Sequence, residues 1–228
     1  MKLYREILHI ALPAMIENFL QFLMGMVDSY LVAHLGLVAL SGVAVANNLI
    51  TIFQAIFLAL GSAISVLLAS LVDRQDSEKL ANQAVEALKL TLLISLVLGM
   101  FSLLAGPSFL LFLGAEKTVA NAGGIYLALV GGHIVFLGLM TSLGAILRAL
   151  GKSQLPMYVS LLSNLLNALF SALGVFVFQA GILGVAVGTI LARIIACFIL
   201  WKQLPFKLAK PSWTLDRKLI GLAMPAAA

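Results

Sequence analysis

Residues 39–72 read ALSGVAVANNLITIFQAIFLALGSAISVLLASLV, and the polar run Asp73-Arg74-Gln75-Asp76-Ser77-Glu78-Lys79 follows at once. A bilayer-crossing helix needs about 20 predominantly apolar residues, and this stretch exceeds that length. Five similar segments flank it, at roughly 7–32, 84–113, 119–147, 156–178 and 181–203, and Gly151-Lys152-Ser153-Gln154 before Pro156 makes the second clear polar break. Spans longer than the hydrocarbon imply tilt, kinks or extension beyond the lipid. Pro13 in the first segment and Pro107 in the third are expected to bend their helices, which membrane bundles tolerate.

Composition agrees. Of 228 residues, 62% are hydrophobic and 10% charged, and the mean hydropathy is +1.12. A soluble domain carries about 45–50% apolar and about 25% charged residues. So few charges cannot solvate a globular surface, and the length leaves no room for a soluble domain. The fold expected is an all-α polytopic membrane protein, a bundle of six transmembrane helices. Lys2 and Arg5 before an apolar run mimic a signal peptide, but the run continues past Met24, contains Glu17 and lacks an Ala-x-Ala cleavage site, so it is read as the first span. Cys197 is the only cysteine, which excludes an internal disulfide and a thiolate metal cluster.

The formal charge of +5 reports orientation before any nucleic-acid partner, and none is expected. Lys2, Arg5, Arg74, Lys79, Lys89, Arg148, Lys152, Lys202, Lys207, Lys210, Arg217 and Lys218 fall on one side, only Lys117 on the other, and Arg193 lies inside a span. By the positive-inside rule both ends of the six-helix unit are cytoplasmic. The expected location is a bacterial or archaeal plasma membrane, with the N-terminus in the cytoplasm.

The last residues echo the first. Arg217-Lys-Leu-Ile-Gly-Leu-Ala-Met-Pro-Ala-Ala227 can be laid on Arg5-Glu-Ile-Leu-His-Ile-Ala-Leu-Pro-Ala-Met15, with identities at Arg5/Arg217, Ala11/Ala223, Pro13/Pro225 and Ala14/Ala226. Both copies follow a basic segment and open a span. Internal duplication is common in secondary transporters. The organisation expected is therefore a six-helix lobe over 1–203, a basic cytoplasmic linker over 204–217, and the start of a seventh helix and second lobe over 218–228. A second six-helix lobe is the expected partner.

Polar residues inside hydrocarbon are costly, so their spacing carries information. Asn18, Gln21, Gly25 and Asp28 share one helical face in the first span, with Glu17 beside them. Asn47, Thr51, Gln54, Leu58, Gly61 and Ser65 do so in the second span, and Ser160, Asn164, Asn167 and Ser171 in the fifth. Interhelical hydrogen bonding accounts for any one such group; three stripes in one bundle favour a wet central cavity. Asp28, read as near mid-span, stands out. An ionised carboxylate is disfavoured there, so its protonation can be switched, and proton and ion would compete for it. Arg193 is the alternative partner, in a buried ion pair. Glu17 is either cavity-lining or a snorkelling interfacial group. Tyr126, Val130 and His133 are read as one face of the fourth span, with His133 more a packing residue than a proton shuttle. Gly181, Gly184 and Gly188 are read as close-packing contacts in the sixth. Met24 and Met26 would suit an apolar cationic ligand.

These residues resemble the multidrug and toxic compound extrusion (MATE) transporters. The resemblance is carried by Pro13 through Val27-Asp28-Ser-Tyr-Leu-Val-Ala-His-Leu-Gly36, Ala39-Leu-Ser-Gly-Val-Ala44, Ile146-Leu-Arg-Ala-Leu-Gly-Lys-Ser-Gln-Leu-Pro156, Asn164-x-x-Asn167, and Gly181-x-x-Gly184-x-Ala-x-Gly188-Thr189. It covers the chain in order, as the N-terminal lobe of a two-lobe (6+6) transporter. It implies an antiporter that exports drugs or toxic organic compounds against inward H+ or Na+. No cofactor is implied beyond the coupling ion. Asp28 matches the family's helix-one acid and Pro13 its bend-forming proline; Tyr126, Asn167 and Thr189 fall among its N-lobe polar residues. Where the family often has an Asp four residues after that Asn, this chain has Ser171. One carboxylate makes a weak Na+ site at Asp28, so H+ is the favoured ion.

The nearest rival is a lipid-linked saccharide flippase, which calls for more basic residues in the cavity than Arg193 alone. A membrane enzyme would need a catalytic constellation, and neither His-Glu-x-x-His nor Gly-x-Ser-x-Gly occurs. A non-transporting scaffold would have no use for aligned polar stripes.

Overall fold

The computed structural model describes residues 19, 23, 25–72 and 77–205. Pro13, Glu17, Asn18, Gln21, the linker beyond residue 205 and the start of the second lobe lie outside the described residues. Helix α1 covers residues 25–33. It is followed by α2 (Leu37–Val72), α3 (Ser77–Phe112), α4 (Lys117–Tyr126), α5 (Val135–Ala149), α6 (Gln154–Ala172) and α7 (Gly181–Lys202), with π-helical turns at Leu127–Gly131 and Leu173–Val177. The described residues hold no strand. Four of these helices are long and apolar enough to cross a membrane, and α4 with α5 makes a fifth span bent by 45°.

The helix ends follow from local chemistry. Gly114 and Gly151 have positive φ, the conformation that lets a chain leave a helix without a Cβ clash. After α5, Gly151 N–H donates to Arg148 O and Lys152 N–H to Leu147 O; the same pattern ends α3 at Gly114 and Ala115. Each closes orphan carbonyls of the last turn. Gly181 differs from the reading above. Its φ is +58° and nothing lies within 4 Å of a Cβ built on it, so it is a turn residue, whereas Gly184 and Gly188 are the packing glycines.

The described helices leave large apolar side chains outside, as a lipid-solvated bundle should. Leu37, Leu104 and Phe112 are each at least 78% exposed. Two buried clusters fill the interior. One gathers Val43, Phe53, Phe57, Leu110, Leu127, Ile134 and Val185, the other Ile64, Leu68, Leu80, Leu88, Leu147, Val159 and Leu200. The second lies at the end where α2 finishes, α3 begins and α5 meets α6. There Lys152 Nζ donates to Gln203 O at 3.4 Å and Lys202 lies in the last turn of α7. Arg148, Lys152 and Lys202 thus share one end of the bundle, and Lys117 opens α4 at the other.

Lys89 falls inside the third span, as its position in segment 84–113 implies. It is twelve residues into α3, about 18 Å along the axis, with Nζ 2.6 Å from Glu86 Oε1 and side chains only 17% and 12% exposed. Pairing with an acid three residues earlier lets α3 carry a cation this deep. Farther along α3, Thr91 Oγ1 and Ser142 Oγ are 2.7 Å apart and buried. Thr91 also lies 2.9 Å from Ala87 O. Ser142→Ala should therefore cost only about 0.6 kcal/mol, read as a small drop in thermal unfolding temperature in detergent.

Pro107 sits inside the continuous helix α3, and its ring meets Gly124, where an added Cβ would come within 2.6 Å. A sharp break falls at residues 132–134, where there is no proline. Gly131 and Gly132 pack there on Ser102 and Leu103, immediately after the π turn. Wide π turns and glycine pairs are recognised causes of helix breaks.

Candidate ion-coupling site

Asp28 lies five residues before the end of α1, about 7.5 Å along its axis. It is therefore close to the end that faces the 34–36 turn. The end of α1 is anchored by His34, whose ring meets Phe176 edge-on at 5.4 Å and whose Nδ1 is 2.9 Å from Tyr30 O. That contact sets α1 beside the π turn after α6, and so opposite Asn167.

Asn167 Nδ2 donates to Asp28 Oδ2 at 2.6 Å. It is a charge-assisted bond when Asp28 is ionised. Ser171, one turn on, points its hydroxyl at Asn167 Oδ1 (3.4 Å) and at Val185 O of α7 (3.5 Å). The single hydroxyl proton serves one of these acceptors at a time; donated to Asn167 Oδ1, it favours the amide with its nitrogen toward the carboxylate. Thr189 Oγ1 donates to Val185 O at 3.0 Å, and the buried Tyr126 side chain lies close to both Thr189 and Asn47. Tyr126 is buried at the last residue of α4. Arg193, one turn beyond Thr189, is within electrostatic reach of Tyr126, Asp28 and Cys197. Five helices therefore place one carboxylate, one guanidinium and a string of neutral donors and acceptors in one network.

Two atoms in it stand out. Asp28 Oδ1 and Arg193 Nη1 are both buried without a hydrogen-bond partner. Buried unsatisfied polar atoms are rare and each needs a reason. The buried ion pair offered as the alternative reading of Asp28 is not formed, since no contact of 4.0 Å or less joins the two groups.

The other candidates divide. Asn47 joins the network through Tyr126, while Thr51 donates to the Asn47 carbonyl at 2.8 Å and Gln54 is exposed on the same helix. Asn164 is half-buried, one turn before Asn167. His133 is exposed, its Nδ1 2.8 Å from Leu129 O. The single face expected for Tyr126, Val130 and His133 is broken: the first two are at most 5% exposed and the third is outside. The π turn at Leu127–Gly131 widens the helix by part of a residue and rotates His133 away. No group of three or more His, Cys, Asp or Glu that could hold a metal ion occurs among the described residues.

Glycine makes the approach of α6 and α7 close enough. An added Cβ on Gly184 would lie 2.7 Å from Gly174 backbone, and one on Gly188 would lie 2.7 Å from Ser171 N. This contact brings Thr189 to the level of Ser171.

A family model described as MatE matches residues 13–173. The chain is 27% identical over 235 residues to a probable multidrug resistance protein NorM of Thermotoga maritima, covering 98% of this chain and 51% of that protein. It is 26% identical to a probable multidrug resistance protein YpnP of Bacillus subtilis, over 97% of this chain and 52% of that one. Among solved structures, one titled as MATE in the bent conformation superposes with a TM-score of 0.86 at 20% identity, over 97% of this chain and 52% of that one. An inward-facing MATE family transporter superposes at 0.81 and 21% identity, over 91% of this chain and 49% of that one. The chain thus spans about half the length of the relatives it matches, and the structural likeness establishes the fold.

Proposed function

Since the chain belongs to the MatE family of transporters, we propose that it forms the N-terminal lobe of a secondary antiporter that exports drugs or other toxic organic compounds. Inward H+ movement through Asp28 drives export. The observation that carries this reading is the 2.6 Å bond from Asn167 Nδ2 to Asp28 Oδ2, which ties α1 to α6 through the one acid in the network.

A proton arriving at Asp28 removes the charge that strengthens that bond. Charge-assisted hydrogen bonds are roughly twice as strong as neutral ones, so protonation loosens α1 from α6 while leaving Asn167 held by Ser171. Release of α1 lets the cavity contract and expel its substrate outward; proton loss toward the cytoplasm restores the bond and the binding-competent shape. The basic end of the bundle, with Arg148, Lys152 and Lys202, faces the cytoplasm in this reading. A second six-helix lobe completes the cavity, and the substrate is a small organic molecule.

Proteoliposomes of the full-length transporter test the reading. With an imposed pH gradient, a fluorescent organic cation should be expelled from the compartment that corresponds to the cytoplasm. Protons should move the opposite way, and collapsing the gradient should stop export. Substrate movement that ignores the pH gradient sinks the proposal. His133→Ala is expected to leave the export rate within about twofold, the size of effect typical of a side chain remote from a functional network.

A further inference from the structure

We propose that Arg193 is a built-in counter-cation that makes the Asp28 site accept H+ and refuse Na+. The inference rests on the reading of Asp28 as the coupling residue and adds the determinant of ion choice.

Three observations converge. First, the site holds one carboxylate and one guanidinium. Ser171 contributes a neutral hydroxyl, Tyr126 on α4 a neutral phenol, and Asn167 and Asn47 are neutral. With Asp28 ionised and Arg193 charged, the described network has no net charge with which to draw in a metal cation. Second, the nearest amide offers the wrong atom. Asn167 turns Nδ2, a donor, to the carboxylate at 2.6 Å, and its oxygen is engaged by Ser171 on the far side. Na+ bound to Asp28 would face that N–H2 group, and bare Na+ requires a cage of oxygens. Third, Arg193 lies one turn beyond Thr189 on α7, five residues after Gly188, which packs on Ser171, and its Nη1 is buried and unpartnered, so its charge is poorly screened beside the network.

The guanidinium opposes any added cation, but the two ions differ in what they have to set against that opposition. A proton forms a covalent O–H bond on Oδ1 or Oδ2 and needs no further ligands. Na+ has only Coulomb attraction to a single carboxylate, which Arg193 offsets. The fixed cation therefore costs Na+ its binding and leaves the proton bound.

Carbodiimide labelling of Asp28 reads occupancy directly, because a protonated carboxyl reacts and a carboxylate holding a metal ion does not. The full-length transporter in liposomes is labelled over a pH series in Na+ or choline at equal ionic strength, and mass spectrometry locates the adduct on Asp28. In the natural protein labelling should follow pH and be the same in both salts. In Arg193→Gln, Na+ should slow labelling about tenfold, the scale of removing one poorly screened charge. Arg193→Lys should behave as the natural protein. If Arg193→Gln does not fold, Ser171→Asp supplies a second test, since an added carboxylate offsets Arg193 and should also introduce Na+ protection. Na+ protection in the natural protein overturns the inference, as does Na+ indifference in the folded Arg193→Gln or, in its place, Ser171→Asp. Absence of any pH-dependent labelling at Asp28 defeats the underlying reading instead, so the two failures are distinguishable.

Discussion

Asp28→Asn is expected to reduce pH-driven export to the level of empty liposomes while the protein remains folded. The two side chains have the same shape, and an amide oxygen at this position still accepts from Asn167 Nδ2. What is lost is the ability to gain and release a proton. The bond loses its charge assistance in every state, worth about 1 kcal/mol, so α1 can no longer be tied and released in step with proton arrival. The thermal unfolding temperature in detergent should move by only a few degrees, and substrate binding should persist. Proton release on substrate addition, followed with a pH dye, should vanish. An Asp28→Asn protein that still exports substrate against a gradient in exchange for protons would falsify the role given to this residue. Asp28→Glu provides the complement: it keeps a titratable group but carries the carboxyl a methylene farther, so export should be impaired yet remain dependent on pH.

The helices were legible because membrane spans write themselves in hydropathy. The predicted segment 39–72 became α2 over Leu37–Val72, and 181–203 became Gly181–Lys202, a shift of at most two residues at any end. Spacing alone put Asn167 and Ser171 on one polar stripe and Asp28 on another; that the two stripes meet was an implication of the family resemblance, and the Asn167–Asp28 bond joins them. Features that depend on hydrogen-bond register were not legible. The π turn after Tyr126 is built from Leu, Ala, Val and Gly, residues that also suit an ordinary helix, yet it turns His133 away from the network. The partner of Lys89 was likewise not legible: hydropathy puts the lysine inside the span, but does not say that Glu86, one turn earlier, pairs with it. The alternative reading of Asp28, as half of a buried ion pair with Arg193, is not met, since no contact of 4.0 Å or less joins the two groups. Periodicity along single helices cannot specify that distance.

The second large effect belongs to the glycines, and it connects packing to coupling. Gly174 and Gly184 touch backbone to backbone: a Cβ on either would come within 2.7 Å of the other's Cα. Membrane helices associate through such small-residue contacts because lipid supplies no hydrophobic drive between them. Gly184→Ala should therefore destabilise the lobe by about 1–3 kcal/mol, the usual cost of overpacking, and Gly184→Leu should prevent α6 and α7 from docking at all. Thermal unfolding in detergent and limited proteolysis of the α6–α7 turn will measure this. Gly25→Ala is the control: nothing lies within 4 Å of its Cβ, and alanine is the better helix former, so stability should hold or rise. The functional consequence separates this contact from a generic weak point. Spreading α6 from α7 moves Thr189 and Arg193 away from Ser171 and Asp28, so Gly184→Ala should weaken pH-dependent export more than it weakens substrate binding. If folded Gly184→Ala exports with its proton coupling unchanged, the glycine contact serves assembly alone.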